Sequence, residues 1–167
     1  MPPGARTDVL SAWRSIPEVL SGAVRGLDDS QLDLRNPRNN LTVREQTHHL
    51  VEAHVVASSI VIAALGMPGS TYDWSWMMPF GPWMDRLPYR SMPLGPSLEA
   101  LRALNAWLAA VVEGADQGLS REVRLRDSPE AEPRPVTVAE LLRQEVDHTE
   151  EHVAEIRATL ERSRSGA

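Results

Sequence analysis

The feature that most constrains the fold is the spacing of apolar residues, which recur every three or four positions in four separate segments. This spacing places an apolar stripe along one side of each of four helices. The segments span residues 7–27, 42–65, 97–114 and 137–162. No strand-rich region interrupts them, although residues 120–127 alternate in polarity and fit either a short strand or a loop. The pattern predicts an all-α four-helix bundle that forms a single domain over residues 1–167.

Two of the four helices begin with a capping box. In the second helix Thr42 is the expected N-cap and Glu45 follows three residues later, and the fourth helix repeats the arrangement with Thr137 and Glu140. Each threonine side chain would accept a hydrogen bond from the third helical amide while the glutamate reaches back to the cap. In the first helix, Pro17 predicts a kink or a late start.

Residues 66–96, between the second and third helices, are unusually apolar for a connection. They contain six of the eight aromatic residues and five of the six methionines. Such a segment is typical of a functional loop that packs on its domain rather than of a disordered linker. It either plugs one end of the bundle or forms the wall or lid of a pocket. The pocket interpretation makes Trp74, Trp76 and Trp83 candidate ligand-binding residues.

Three of the five histidines fall between residues 48 and 54, and helix geometry separates them. Each residue turns by about 100° around a helix. His49 therefore falls on the apolar stripe of the second helix, whereas His48 and His54 fall on its flanks, at a candidate dimer surface. On the fourth helix, His148 and His152 stand one turn apart on the apolar face.

His49, His148 and His152 are therefore candidate ligands of one metal ion. Imidazoles buried without partners are costly, and a shared metal offsets that cost. The alternative is a set of core histidines satisfied by hydrogen bonds. Three imidazoles suit Zn, which we expect most, as well as Ni, Fe or Cu. Glu145, one turn before His148, is the candidate catalytic carboxylate. The alternatives are that it accepts a hydrogen bond from an imidazole N–H, or that it is a surface carboxylate at the rim of the bundle.

The composition argues against several classes of partner and mechanism. A net charge of −6 without a basic stripe disfavours nucleic acid and anionic membranes. The chain has neither cysteine nor lysine, which excludes disulfides, nucleophilic thiolates from its own side chains and Schiff-base chemistry on a lysine. The N-terminal residues lack a signal-peptide core, and the longest apolar run, residues 55–65, is too short for a bilayer. We expect a cytoplasmic protein, and the same apolar run predicts a homodimer.

The order and motifs of these helices resemble the DinB superfamily over essentially the whole chain. The family pattern is Thr/Ser-Val-x-Glu followed by a histidine on helix two, and His-x-x-x-His on helix four. The matching positions are Thr42, Val43, Glu45, His49, His148 and His152. The resemblance implies a four-helix bundle that binds a divalent metal. The superfamily includes bacillithiol- and mycothiol-dependent S-transferases, mycothiol-dependent maleylpyruvate isomerases and many members of unknown activity.

The function that we predict from this resemblance is metal-dependent transfer of a low-molecular-weight thiol, such as mycothiol, to a small-molecule electrophile. Three protein ligands leave a position open, and metal coordination favours the thiolate. The absence of cysteine fits, because the cosubstrate supplies the sulfur. The alternatives are a metal-dependent hydrolase or isomerase, a non-catalytic ligand-binding or stress protein, and a metal-free bundle that acts through dimerisation.

Overall fold

The computed structural model of the chain describes residues 3–75 and 86–165. In chain order the elements are α1 (Pro3–Val24), α2 (Asp29–Leu32), α3 (Val43–Gly66), β1 (Thr71–Asp73), α4 (Leu94–Gly114), β2 (Glu122–Arg126), β3 (Arg134–Thr137) and α5 (Val138–Ser165). The four long helices correspond to the four predicted segments. The predicted four-helix bundle is therefore confirmed, with a small sheet as a minor addition.

The long helices enclose one apolar core. Helix α1 packs against α4 and α5, and α3 packs against the same two helices. Large side chains from all four are fully buried between them: Trp13, Ile16, Leu20, Leu50, Leu108 and Ile156. Burying one such aliphatic side chain contributes roughly 1.5–3 kcal/mol, so this core is the main source of stability.

The two predicted capping boxes are both present. Thr42 Oγ1 accepts a hydrogen bond from the Glu45 amide at 3.0 Å, and Glu45 Oε2 accepts one from the Thr42 amide at 2.9 Å. Thr137 and Glu140 make the equivalent pair at 3.2 and 2.8 Å. These caps fix where α3 and α5 begin, and so fix the direction in which each later residue points.

The first and third long helices begin earlier than the sequence predicted. Helix α1 starts at Pro3 and continues through the buried Pro17, so the late start, one of the two alternatives predicted for this proline, is wrong. Helix α4 begins at Leu94 rather than at Ser97. Pro96 falls within its first turn, where the missing amide proton costs no helical hydrogen bond.

A three-stranded sheet packs against α3. Strand β2 is parallel to β1 and antiparallel to β3, and it resolves the ambiguous residues 120–127 as a strand. Val123 and Leu125 of β2 are buried toward the core, while alternate side chains remain exposed. Strand β1 follows α3 and β3 runs directly into α5, so the sheet joins the two histidine-bearing helices.

By length and composition alone, α3 is long and apolar enough to cross a membrane. Half of its most apolar stretch is buried inside the bundle, and α3 also buries charged and polar side chains such as Arg44, Glu45 and Gln46. These are the properties of a core helix, whose apolar sides face neighbouring helices. A cytoplasmic location and a homodimer remain predictions.

Candidate metal centre

Three imidazole rings meet between α3 and α5. His49 lies on α3, and His148 and His152 lie one turn apart on α5. Their candidate ligand nitrogens all lie within 4.8 Å of one another. The His49 ring centroid is 5.4 Å from each of the other two, which are themselves 4.8 Å apart. The structure thus brings together the three residues that the sequence predicted as metal ligands.

Hydrogen-bond acceptors hold both α5 rings by Nδ1. Nδ1 of His148 lies 3.0 Å from Glu145 Oε1. Nδ1 of His152 lies 3.1 Å from Glu155 Oε2 and 3.4 Å from the side-chain oxygen of Gln46. Because an ionised carboxylate only accepts, each Nδ1 carries a proton and donates it. The lone pair then lies on Nε2, as in metal-binding histidines whose other nitrogen is bonded to a carboxylate.

The local electrostatics favours neutral imidazoles at two of the three positions. Burial, together with His148 and His152, lowers the pKa of His49 to about 3. Burial and the neighbouring His148 also lower the pKa of His152. Burial opposes a charge on His148 as well, but the hydrogen bond and negative charge of Glu145 outweigh it, and the His148 pKa is raised. Neutral imidazole is the form that coordinates metal, so this donor set fits a divalent ion with an open position.

His48 does not lie on an open flank of α3, so that prediction is wrong. It is 1% exposed, with Nδ1 2.9 Å from Ser97 Oγ and Nε2 3.1 Å from the Met92 carbonyl oxygen. The carbonyl only accepts, so Nε2 donates to it and Nδ1 accepts from the Ser97 hydroxyl. The ring also stacks on Tyr89. His48 therefore anchors the segment before α4 to α3.

The same prediction is wrong for His54, which is 0% exposed in the bundle core. Its Nδ1 lies 2.9 Å from Asn105 Oδ1 and its Nε2 lies 3.0 Å from Thr149 Oγ1. Its ring stacks on Trp13 at a centroid distance of 4.4 Å. These partners lie on α4, α5 and α1, so His54 contacts every other long helix. A polar ring is tolerated there because both of its nitrogens have hydrogen-bond partners.

A cavity of about 260 Å³ opens beside the triad, between α3 and α5. His49 and His148 contribute to its lining, and Trp74 also lines it. The structure therefore places one of the three predicted tryptophans in the same cavity as two of the histidines. Trp76 and Trp83 lie outside the described residues.

Glu52 is a cavity residue that the sequence analysis did not select. It lines the cavity one helical turn after His49, and the Tyr89 hydroxyl donates a hydrogen bond to it. Burial raises the pKa of Glu52 to about 7, although the Tyr89 hydrogen bond opposes the change. Burial and Glu52 in turn raise the pKa of Tyr89 to about 12. The signal that would have found Glu52 is its spacing of three residues from His49, which puts both on one side of a helix.

The segment that contains Tyr89 is held against α3 by three successive turns of that helix. Arg90 Nε donates to Glu45 Oε1 at 2.7 Å, so Glu45 serves both the helix cap and this segment. One turn later His48 holds the Met92 carbonyl, and one turn beyond that Glu52 accepts from Tyr89. These contacts hold the segment against α3 beside Glu52, which itself lines the cavity.

Comparison with known proteins was consistent with this geometry. A family model described as "DinB superfamily" matches residues 12–156. A Geobacillus thermodenitrificans (strain NG80-2) protein named "Putative metal-dependent hydrolase" is 31% identical over 106 residues. That match spans 62% of this chain and 57% of the relative, so the chain covers less than two thirds of that protein's length.

A solved structure has a similar fold. It is described as "YfiT from Bacillus subtilis is a probable metal-dependent hydrolase with an unusual four-helix bundle topology". The TM-score is 0.79 at 22% sequence identity, and the match covers 98% of this chain and 90% of the other. At that identity the similarity establishes the fold alone.

Proposed function

Because the chain belongs to the DinB superfamily, we propose that it is a metal-dependent enzyme that transfers a low-molecular-weight thiol to an electrophile. The observation that carries this proposal is the convergence of three imidazoles within 4.8 Å beside a cavity. His49, His148 and His152 would hold the ion, with Zn expected and Ni or Fe as alternatives. When bound, the metal lowers the pKa of a thiol or water that occupies its open position.

The carboxylates around the triad have different roles in this proposal. Glu145 and Glu155 orient His148 and His152 through Nδ1 and make them better ligands. Glu52 faces the cavity and accepts the proton that the nucleophile loses, because its raised pKa suits proton transfer near neutral pH. Glu145, which the sequence predicted as the catalytic carboxylate, is thus reassigned as a positioning residue.

The transfer step forms one bond and breaks one bond. The thiol sulfur forms a bond to the electrophilic carbon, and the bond from that carbon to its leaving group breaks. The thiol proton passes to Glu52, and the leaving group departs with the electron pair. The chain has no cysteine or lysine, so neither of these side chains competes as the nucleophile.

Hydrolysis is a second candidate, and Glu52 is the observation that favours it. Attack by water benefits more from a general base than attack by an already acidified thiol does. The names of both relatives describe metal-dependent hydrolases, and that activity comes to this chain as a proposal only. In this case water attacks an ester or amide carbonyl, Glu52 takes its proton, and the leaving alcohol or amine receives that proton.

The test is a paired assay of one protein, purified without a histidine tag and loaded with zinc. A panel of small thiols with alkyl and aryl halides measures transfer, and a panel of aryl esters without thiol measures hydrolysis. We expect thiol-dependent turnover that disappears in His49→Ala and falls by roughly 10²–10⁴-fold in Glu52→Gln. Ester turnover without thiol would favour the hydrolase. No turnover in either panel at full zinc occupancy would contradict the proposed function.

A further inference from the structure

The cavity beside the triad extends well beyond the histidines. On α3 its lining runs from His49 to Ile60, which are three helical turns or about 16 Å apart. On α5 it runs from His148 back to Leu141, and Leu125 of β2 also lines it. The space is thus long enough to hold a substrate group that does not itself react.

The lining away from the histidines is apolar. Its α3 side consists of Ala53, Val56, Ala57 and Ile60, and Leu125 and Leu141 face it. A buried apolar surface of this kind gains free energy by contacting another apolar group instead of water. The cavity volume of about 260 Å³ exceeds the roughly 150 Å³ at which apolar protein cavities already bind benzene.

The ionisable and amide side chains among the described lining residues, Glu52, Gln144 and Glu145, each lie about one helical turn from His49 or His148. None of the described residues around the rest of the cavity carries a charge. A charged group placed there would lose its hydration without gaining a partner. This part of the cavity therefore favours an uncharged group.

We propose that this cavity binds the apolar part of an electrophile, with an uncharged aryl or branched alkyl group lying along Ala53 and Ala57 and the reacting carbon toward His49. The reacting end of this assignment rests on the proposed function, whereas the apolar subsite rests on the cavity alone. Ala53 and Ala57 are one turn apart, and their small side chains set the width of the space. A larger side chain at either position would fill the subsite.

The experiment measures binding rather than turnover. Dissociation constants for toluene are measured by ligand-observed NMR with the zinc-loaded protein and its Ala53→Leu variant. The matched control is Ala106→Leu, which makes the same change at an exposed position of α4. Leucine and alanine both favour helix, so neither change disturbs the backbone greatly.

We expect toluene to bind, and Ala53→Leu to weaken its binding by roughly tenfold or more. Ala106→Leu should leave the dissociation constant unchanged, and zinc content should be equal in all proteins. Ala53→Val replaces the leucine variant if that variant does not fold. The inference is overturned if toluene does not bind, or if neither Ala53 variant weakens its binding.

The two proposals fail in different ways. Toluene binding that depends on Ala53, without any turnover of thiol or ester panels, would remove the proposed function and keep the apolar subsite. Turnover in the thiol panel, together with toluene binding that neither Ala53 variant weakens, would keep the proposed function and remove the subsite.

Discussion

Glu145 Oε1 lies 3.0 Å from Nδ1 of His148. The same oxygen lies 3.9 Å from Nε2 of His54, the histidine that contacts all the other long helices. One carboxylate therefore lies between the candidate metal centre and the polar part of the bundle core. Its side chain is only 13% exposed, so its orientation is fixed by these neighbours rather than by solvent.

The first prediction concerns this carboxylate. Glu145→Gln should weaken zinc binding by roughly 10–100-fold without unfolding the protein, because the amide is a poorer acceptor for the His148 N–H. Competition with a fluorescent chelator measures the affinity. Glu150→Gln, at an exposed position of the same helix, is the matched control. Equal zinc affinity in both variants would show that Glu145 does not support the centre.

The second prediction separates the triad from the other histidines. His49→Ala, His148→Ala and His152→Ala should each abolish tight zinc binding, because two imidazoles hold the ion far less well than three. His48→Ala should retain zinc, since that ring is bonded to Ser97 and Met92 instead. Elemental analysis of the purified proteins measures their zinc content. Full zinc occupancy in any of the three triad variants would contradict the assignment.

The third prediction is a stability effect at His54. Its replacement by alanine leaves a cavity beside Trp13 and removes the partner of Asn105 and Thr149. Together these losses should lower the free energy of unfolding by about 3 kcal/mol. Urea denaturation measures the change, with the exposed Ala106→Leu as a reference for an ordinary substitution. A loss below about 1 kcal/mol would show that the polar core is loosely packed.

The fourth prediction uses the pKa of Glu52, which is raised to about 7 from an ordinary value of 4.5. A carboxyl group with a raised pKa favours folding below pH 4.5, and that contribution is lost as pH rises through about 7. Glu52→Gln removes the free-energy cost of holding an ionised carboxylate in this poorly solvated position. After allowance for partial solvent exposure, it should stabilise the fold by about 1–2 kcal/mol at pH 8 and hardly at all at pH 4.5.

Urea denaturation at the two pH values, after removal of metal with a chelator, checks this prediction, and Glu150→Gln controls for the loss of one charge. A stabilisation of the same size at both pH values would mean that Glu52 is not held in a poorly solvated environment. We expect Glu52→Gln to be more stable at pH 8 than the unsubstituted protein and to have lower turnover, because residues that serve catalysis often reduce stability.

The helix periodicity was sufficient to predict the triad. The two capping boxes fixed the beginnings of α3 and α5, and counting about 100° per residue from there directed His49, His148 and His152 to a common interior. The structure places their ligand nitrogens within 4.8 Å, as that prediction requires. Short-range rules succeed here because a capped helix is rigid and its residue directions are set locally.

The same counting failed at His48 and His54 because it assumed a single buried face. Helix α3 packs against α4, α5, the sheet and the 3₁₀ turn Pro88–Arg90, so several of its sides are enclosed. Which sides of a helix are enclosed depends on how the other elements pack around it. The sequence of that helix alone does not show this. Strands β1 and β3 were missed for a similar reason, since three- and four-residue strands depend on their pairing partners.

Strand β3 ends at Thr137 and α5 begins at Val138, without an intervening loop. The pairing of β3 with β2 therefore sets the rotational phase of α5, and His148 follows 11 positions after the strand. Inserting one residue into that stretch would turn both α5 histidines by about 100°, out of the centre and toward another side of the bundle. Residues 127–133, between β2 and β3, carry no such constraint. Relatives that keep the centre should therefore vary in length before β3 and stay invariant in length between β3 and the first α5 histidine.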